Sequence, residues 1–300
     1  MITYEGFAKT FGIVHAVRDL TVTIAAGEVV ALLGPNGSGK TTSIKAAAGL
    51  VRPTEGRVLL GAPGRSALEA DARRVCSFLP QRVTFPESLT GREVAEFYCK
   101  LRGRNADRLQ EVMKLTGLNG SSRRTVGTYS GGMTQRLGLA VAMAAQALVL
   151  LLDEPTAALD PDGTCAFYAV IEARRSEGQT VFFSSHQMGD VERLADRFLV
   201  MVSGRLVASF TARELTTALA NRGVMKVTVD GISDVVLTRL RAIAPGVMSS
   251  ADQIMVPGTA DVRLAVLDLL RNQGVTIRGW SAEEGRLDAF YRELVEGHHG

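Results

Sequence analysis

Residues 34–41 read Gly34-Pro35-Asn36-Gly37-Ser38-Gly39-Lys40-Thr41, a phosphate-binding loop of the form G-x-x-x-x-G-K-[ST]. No other stretch limits the possible folds so tightly. Upstream, the turn at Gly27-Glu28 leads into the unbroken apolar run Val29-Val30-Ala31-Leu32-Leu33, the pattern of a strand buried on both faces in a parallel sheet. Downstream, Thr42 to Leu50 reads as a helix, whose N-terminus attracts anions. Strand, glycine loop and helix in this order predict an α/β fold that binds a nucleoside triphosphate. The glycines let successive N–H groups converge on phosphate oxygens. Lys40 supplies a point charge for the β- and γ-phosphates, and Thr41 a hydroxyl for Mg²⁺.

A chain of 300 residues has room for a full α/β core and a second domain. Hydrophobic residues make up 46% and charged residues 22%, an ordinary globular balance. The net charge of +3 gives no strong basic field, so nucleic acid is not the expected partner. Cys76, Cys99 and Cys165 are far apart and form no ligand spacing, which predicts reduced thiols in the cytosol. Met1-Ile2-Thr3-Tyr4-Glu5 carries no secretory signal. The longest apolar stretch, Leu139 to Leu152, contains Gln146 and runs into Asp153, too short to span a bilayer. Any membrane role therefore has to come through a partner.

Along the chain, residues 1–30 alternate in the manner of a small antiparallel sheet. Val58-Leu59-Leu60 and Val75 to Leu79 read as strands, and residues 91–146 as a helical subdomain with a long helix from Thr134 to Ala147. Leu148 to Leu152 and Val181 to Ser185 read as buried parallel strands around a helix at about 161–177, followed by a hairpin turning at Ser203-Gly204. A boundary is expected near 210–222, giving domains of 1–220 and 221–300. Beyond it Val224 to Val229, Val235 to Ile243, Val247-Met248 with Ile254 to Val256, Val262 to Leu270 and Val275 to Ile277 give the order β-α-β-β-α-β, a ferredoxin-like arrangement. Leu287, Phe290, Tyr291 and Leu294 then mark the apolar stripe of a closing helix.

Two further groups carry chemistry. Asp153 and Glu154 end the strand Leu148 to Leu152 at the sheet edge where ligands of open α/β folds bind. Asp153 is placed to hold Mg²⁺ through water and Glu154 to polarise an attacking water. As an isolated pair they would be a solvated strand end; below a phosphate loop they are not. Tyr129-Ser130-Gly131-Gly132-Met133 precedes the long helix, with a hydroxyl and free N–H groups that suit an anion. One triphosphate cannot easily use two helix N-termini of the same chain, so two such half-sites suggest a dimer that shares each nucleotide.

With these motifs in order, residues 1–220 resemble the ATP-binding cassette family. Tyr129-Ser130-Gly131-Gly132-Met133 is similar to the family signature, which usually ends in Gln where this chain has Met133. The resemblance implies a cassette with an antiparallel β subdomain, a helical signature subdomain and here a small C-terminal α+β domain. It implies that Gln81 senses Mg²⁺ and the attacking water, that Asp160 of Ala158-Leu159-Asp160 lies on a loop crossing the dimer interface, that His186 contacts the γ-phosphate, and that Phe11 stacks under adenine. The nucleotide contacts would be Phe11, Gly34, Asn36, Gly37, Ser38, Gly39, Lys40, Thr41, Thr42, Ser130, Gly131, Gly132 and Asp160, with Mg²⁺ held by Thr41, Gln81 and Asp153. A single cassette without spanning segments resembles a stand-alone ATPase subunit, dimeric and docked on a transmembrane permease at the cytoplasmic face of the membrane.

Leu79-Pro80-Gln81-Arg82-Val83-Thr84-Phe85, Leu89 to Glu93, Leu137-Gly138-Leu139-Ala140 and Leu287 to Tyr291 further resemble the ATPase subunit of the copper-processing transporter that matures nitrous oxide reductase, a pattern shared with drug-exporter ATPases. A soluble cassette protein acting on DNA or ribosomes is the alternative, but no tandem cassette or long coiled-coil insertion is visible. A GTPase or nucleotide kinase would leave Ser130-Gly131-Gly132 unexplained, and no Asn-Lys-x-Asp motif occurs. Arg123-Arg124 reads as a solvated face, and His298-His299 as a tail too sparse in ligands to hold a metal.

Overall fold

A computed structural model describes residues 1–104 and 106–297; the reading of His298-His299 lies outside the described residues. The chain divides into two compact units, Met1–Ser209 and a second that begins at Phe210.

In the first unit, β1 (Ile2–Phe11) and β2 (Val14–Ile24) form an antiparallel hairpin that pairs Ile2 with Ile24 and Phe11 with Val14. After β3 (Val29–Leu33) and α1 (Lys40–Ala47), the chain returns in β4 (Glu55–Leu60) and β5 (Arg65–Ser66), which extend that sheet in the order β2-β1-β4-β5. Next come α2 (Ala70–Arg73), β6 (Cys76–Leu79), α3 (Gly91–Leu101), α4 (Leu109–Leu115) and α5 (Gly131–Ala144). The unit closes through β7 (Val149–Leu152), α6 (Pro161–Ser176), β8 (Thr180–Ser184), α7 (Met188–Leu194), β9 (Arg197–Val202) and β10 (Arg205–Thr211).

The second sheet has the order β10-β9-β3-β8-β7-β6, with β9, β3, β8, β7 and β6 parallel. Every residue of β3, β7 and β8 is buried, as strands covered on both faces must be. Because these strands run the same way, the segments after Leu33, Leu79, Leu152 and Ser184 emerge at one edge. The register fixes this: Leu79 pairs with Leu152, Leu152 with Phe183, and Leu32 with Ser184. Between the two sheets lies a core containing Ile2, Tyr4, Phe7, Ile44, Leu151 and Phe182, each large side chain worth about 1.5–3 kcal/mol on burial. The Tyr4 hydroxyl donates to the Ser43 carbonyl (2.7 Å), tying the antiparallel sheet to α1.

α3 starts in a capping box between Thr90 and Glu93, and buries Val94, Ala95 and Cys99. α5 approaches β6 so closely that a Cβ at Gly138 would stand 2.8 Å from Leu79 and Val83 side-chain atoms. The long helix expected from Thr134 begins three residues earlier, because the Ser130 hydroxyl accepts the Met133 N–H and makes Ser130 the N-cap. It also ends sooner than Ala147, and α1 likewise spans Lys40–Ala47 rather than Thr42 to Leu50: left-handed backbone at Gln146 (φ 48°) and Gly49 (φ 71°) breaks both runs.

The second unit contains α8 (Ala212–Ala220), β11 (Val224–Val229), α9 (Asp234–Ile243), β12 (Met248–Ser249), β13 (Gln253–Pro257), α10 (Ala260–Asn272), β14 (Ile277–Glu283) and α11 (Leu287–Glu296). Its antiparallel sheet runs β12-β13-β11-β14, and Met225, Val227, Val229, Ile254 and Val256 meet Leu240, Val266 and Leu270 in a separate core. The last strand lies at Ile277–Glu283, not at Val275 to Ile277. It is an edge strand exposed after its first residue, so no buried face imposes an apolar alternation. α8, an element not expected from the sequence, is signalled by the capping box of Thr211 and Glu214 rather than by an apolar stripe, since Leu215 alone is buried.

Candidate functional site

The phosphate loop lies between β3 and α1. Gly34 and Gly39 hold φ values of 158° and 102°, and a Cβ at either would press against backbone, the Met201 carbonyl at 2.4 Å or the Ala16 carbonyl at 2.5 Å. Only glycine fits both positions. Asn36 and Gly37 form the exposed crest, while Ser38 and Lys40 are buried and Thr41 and Thr42 are half-buried. No side chain caps α1, which leaves its first N–H groups available to an anion. The Ser38 hydroxyl is buried and makes no hydrogen bond among the described residues, a polar atom that a phosphate oxygen would satisfy.

Lys40 folds over the loop. Its Nζ donates to the carbonyls of Gly34 (2.8 Å) and Pro35 (3.2 Å) and lies 3.9 Å from Glu154 Oε1. Burial lowers its affinity for its proton, and the charges of Glu154 and Asp153 oppose that shift. At the end of β7, Asp153 Oδ1 accepts from Thr41 Oγ1 (3.0 Å) and from Ser184 Oγ (2.8 Å). Ser184 Oγ in turn accepts the Glu154 N–H (2.8 Å). Thr41 and Asp153 thus lie side by side as a hard oxygen pair suited to Mg²⁺.

Glu154 has a φ of 46°, strained for a residue with a side chain, at about 1–2 kcal/mol. Its carboxylate Oε2 accepts from Gln81 Nε2 (2.6 Å) and lies 3.8 Å from His186 Nδ1. Gln81, Asp153, Glu154, His186, Lys40 and Thr41 are therefore brought to one sheet edge. Phe11 stands apart at the end of β1, half exposed, with Lys9 Nζ 4.8 Å from its ring centroid on one face.

The hydrogen bonds of Ser130 run to Met133 and Thr134, inside α5. Gly131 faces open space, and a Cβ on Gly132 would come within 3.2 Å of the Ala158 carbonyl. Asp160 caps α6 by accepting the Gly163 N–H (2.9 Å) and pairs with Arg136 of α5. Ser130, Gly131, Gly132 and Asp160 thus form a second group, joined by α5, whose hydrogen bonds do not run to the phosphate loop. Sequence reasoning missed Ser184, hidden as the last residue of an apolar strand, and Arg136. For Ser184 the available signal was a hydroxyl directly after the apolar run Val181-Phe182-Phe183 at the end of β8.

No helix among the described residues is long and apolar enough to cross a membrane. The family model described as ABC transporter matches residues 17–157. The linearmycin resistance ATP-binding protein LnrL of Bacillus subtilis (strain 168) is 30% identical over 248 residues, 81% of this chain and 80% of that protein. The daunorubicin/doxorubicin resistance ATP-binding protein DrrA of Streptomyces peucetius is 30% identical over 306 residues, 99% of this chain and 92% of its own length. Among solved structures, the dimeric bacterial ABC transporter cassette MJ0796 superposes with a TM-score of 0.66 at 27% identity, over 71% of this chain and 99% of that one. The same cassette in a post-hydrolysis dimer bound to ADP and Pi gives 0.66 at 26% identity. A phosphate loop and carboxylates at one sheet edge, in a chain so matched, have one reading: it belongs to the ATP-binding cassette family, as an ATP-binding and ATP-hydrolysing subunit of an ABC transporter.

Proposed function

We propose that two copies of this chain sandwich two ATP molecules and power export of an apolar, drug-like compound through a separate transmembrane permease at the cytoplasmic face of the membrane. The observation that supports turnover at this site is Glu154, a strained carboxylate held between Gln81, Lys40 and His186 beside the phosphate loop. In this reading Phe11 stacks on adenine, and the Gly34–Thr41 loop with Thr42 cradles the phosphates. Glu154 orients water onto the γ-phosphate, which His186 contacts, and Ser130, Gly131 and Gly132 of the second copy close over it. Asp160 carries the loop that crosses between copies. Mg²⁺ on Thr41, Asp153 and Gln81 would neutralise charge on the β- and γ-oxygens.

Export of a drug-like compound rests on two relatives named for drug resistance, LnrL and DrrA, whose alignments cover 81% and 99% of this chain. The alignment with the daunorubicin/doxorubicin resistance protein runs through both units of this chain. By comparison, the Fe(3+) import protein FbpC of Rhizobium etli aligns over 73% of this chain and 64% of itself. The test has two arms. Glu154→Gln is expected to abolish ATP turnover while retaining ATP binding and a trapped dimer; full turnover would remove Glu154 from the reaction. Co-expression with a polytopic drug-export permease is expected to raise tolerance to anthracyclines and give drug-stimulated ATPase activity; no stimulation with any such permease would count against drug export. Stimulation by copper delivery instead would support the copper-processing resemblance.

A further inference from the structure

Asp190 on α7 is 2% exposed, and its carboxylate accepts from three hydroxyls on three other segments. Thr156 Oγ1 donates to Oδ2 at 2.7 Å, Ser185 Oγ to the same oxygen at 3.1 Å, and Tyr168 OH to Oδ1 at 2.8 Å. Thr156 and Ser185 are themselves 3% and 2% exposed. No Lys or Arg among the described residues pairs with this carboxylate; Arg193 lies instead over the Tyr168 ring, 4.6 Å from its centroid. A buried carboxylate satisfied by neutral donors is a poor way to gain stability, since well-packed apolar side chains would serve as well or better. What it provides is geometry.

The three donors lie on the pieces that carry the reaction. Thr156 is two residues past Glu154, on the loop that leads to Asp160. Ser185 immediately precedes His186, and its Oγ also accepts the Gln187 N–H at 2.9 Å. Tyr168 anchors the cluster to α6, the helix that Asp160 caps. One carboxylate oxygen, Oδ2, therefore sets the separation of the Glu154 loop from the His186 segment, where Glu154 Oε2 and His186 Nδ1 stand 3.8 Å apart.

We propose that Asp190 is a positioning residue for ATP hydrolysis: it clamps the 155–160 loop and the 185–187 segment together so that Glu154 and His186 address the γ-phosphate in one fixed geometry. The inference rests on the roles given to Glu154 and His186 above. Misplacement of a reacting group by about 1 Å costs up to about a hundredfold in rate without a matching loss of ground-state binding. Asp190→Asn keeps the shape but turns one acceptor into a donor facing hydroxyls.

The test uses the full chain, with trinitrophenyl-ATP as the binding probe, and compares Asp190→Asn, Thr156→Val, the double variant and His186→Ala. Asp190→Asn is expected to lower kcat on the order of tenfold or more with nucleotide affinity within about twofold of the parent. Thr156→Val is expected to lower it less, and the double variant no further than Asp190→Asn alone, because the two share one bond. If His186→Ala abolishes turnover while Asp190→Asn leaves kcat within about twofold of the parent, this inference falls and the reading of the site stands. If His186→Ala turns over fully, the reading itself falls. Equal losses of affinity and kcat, or additive losses in the double variant, would make Asp190 merely structural and overturn the proposal. Should Asp190→Asn fail to fold, Thr156→Val and Ser185→Ala decide: parental kcat in both overturns it.

Discussion

Ser184→Ala removes a hydroxyl that performs two tasks at once in a fully buried position. The Ser184 Oγ donates to Asp153 Oδ1 and accepts the Glu154 N–H, both at 2.8 Å. Without it, the Glu154 N–H is left with no acceptor, at about 1–3 kcal/mol, and Asp153 keeps Thr41 as its hydroxyl donor while losing a bond to a carboxylate, at about 1.5–3 kcal/mol. Allowing for relaxation, the loss should come to about 3 kcal/mol, or a fall of about 6–12 °C in the melting temperature of a unit this size. Ser43→Ala is the control. Its hydroxyl donates to the Gly39 carbonyl (3.0 Å), which also accepts the Ser43 N–H (2.9 Å), so no backbone group is orphaned and the cost should be about 1 kcal/mol. Calorimetry is the assay. The single tryptophan, Trp280, belongs to the other unit, and its fluorescence would report the wrong transition. Because the same hydroxyl holds Glu154 at its strained φ of 46°, kcat should fall on the order of tenfold or more. A Ser184→Ala protein that melts within about 2 °C of the parent and hydrolyses ATP at the parental rate would refute the reasoning.

Lys40→Ala should weaken nucleotide binding itself, because it deletes the buried cation that spans the phosphate loop; equilibrium dialysis showing unchanged affinity would contradict the cradle. Gly131→Ala places a methyl in open space, so the isolated chain should melt no lower and bind ATP as before, while turnover falls if a second copy's nucleotide occupies that space; undiminished ATPase activity would count against the shared site. Burial, then the hydrogen bond to Asp190, pushes the Tyr168 phenol up to about 12. A raised value means that the stabilisation is complete below the ordinary phenol range and is lost as pH climbs towards about 12. Denaturant midpoints of the parent and Tyr168→Phe should therefore differ by a constant amount up to about pH 10, with the parent losing ground above it; a constant gap to the highest pH would contradict the raised phenol value.

The phosphate loop, Asp153 and Glu154 were legible because each is defined by its neighbours in the chain: a glycine pattern after an apolar run, or a polar residue where a buried strand stops. The same applies to Ser130, an N-cap with a local hydrogen bond, whereas His186 and Asp160 took their meaning from the family resemblance. Ser184, Thr156, Tyr168 and Asp190 were not, because their meaning arises only when the sheet forms. Ser184 meets Asp153 across a sequence separation of 31, and Thr156 meets Asp190 across 34. No local pattern distinguishes such a hydroxyl from one that merely ends a strand. The misplaced last strand has the complementary cause. β14 pairs with β11 along an edge exposed after Ile277, so its later side chains are free of the alternation on which strand recognition depends.

The division of labour among these residues explains why binding and hydrolysis should be separable. Lys40, Thr41, Gln81, Asp153, Glu154 and His186 are gathered at one sheet edge by hydrogen bonds and by contacts of Glu154 with Lys40 and His186 at 3.9 and 3.8 Å. Lys40 is the cation of that group and faces two carboxylates, so an incoming triphosphate adds negative charge to a region already rich in it. The N-terminus of α1, uncapped by any side chain, offsets part of that charge from one side. A second helix N-terminus of the same polarity begins α5 at Ser130, but its hydrogen bonds and those of Asp160 close on their own neighbours and leave Gly131 facing open space. Under the proposed reading, such a site would bind ATP but hydrolyse it only when positive potential is supplied on its outer side. Supplying that potential from the α5 N-terminus of a second copy would make hydrolysis conditional on dimer closure, which is the coupling a transport ATPase needs if it is not to spend ATP without its permease.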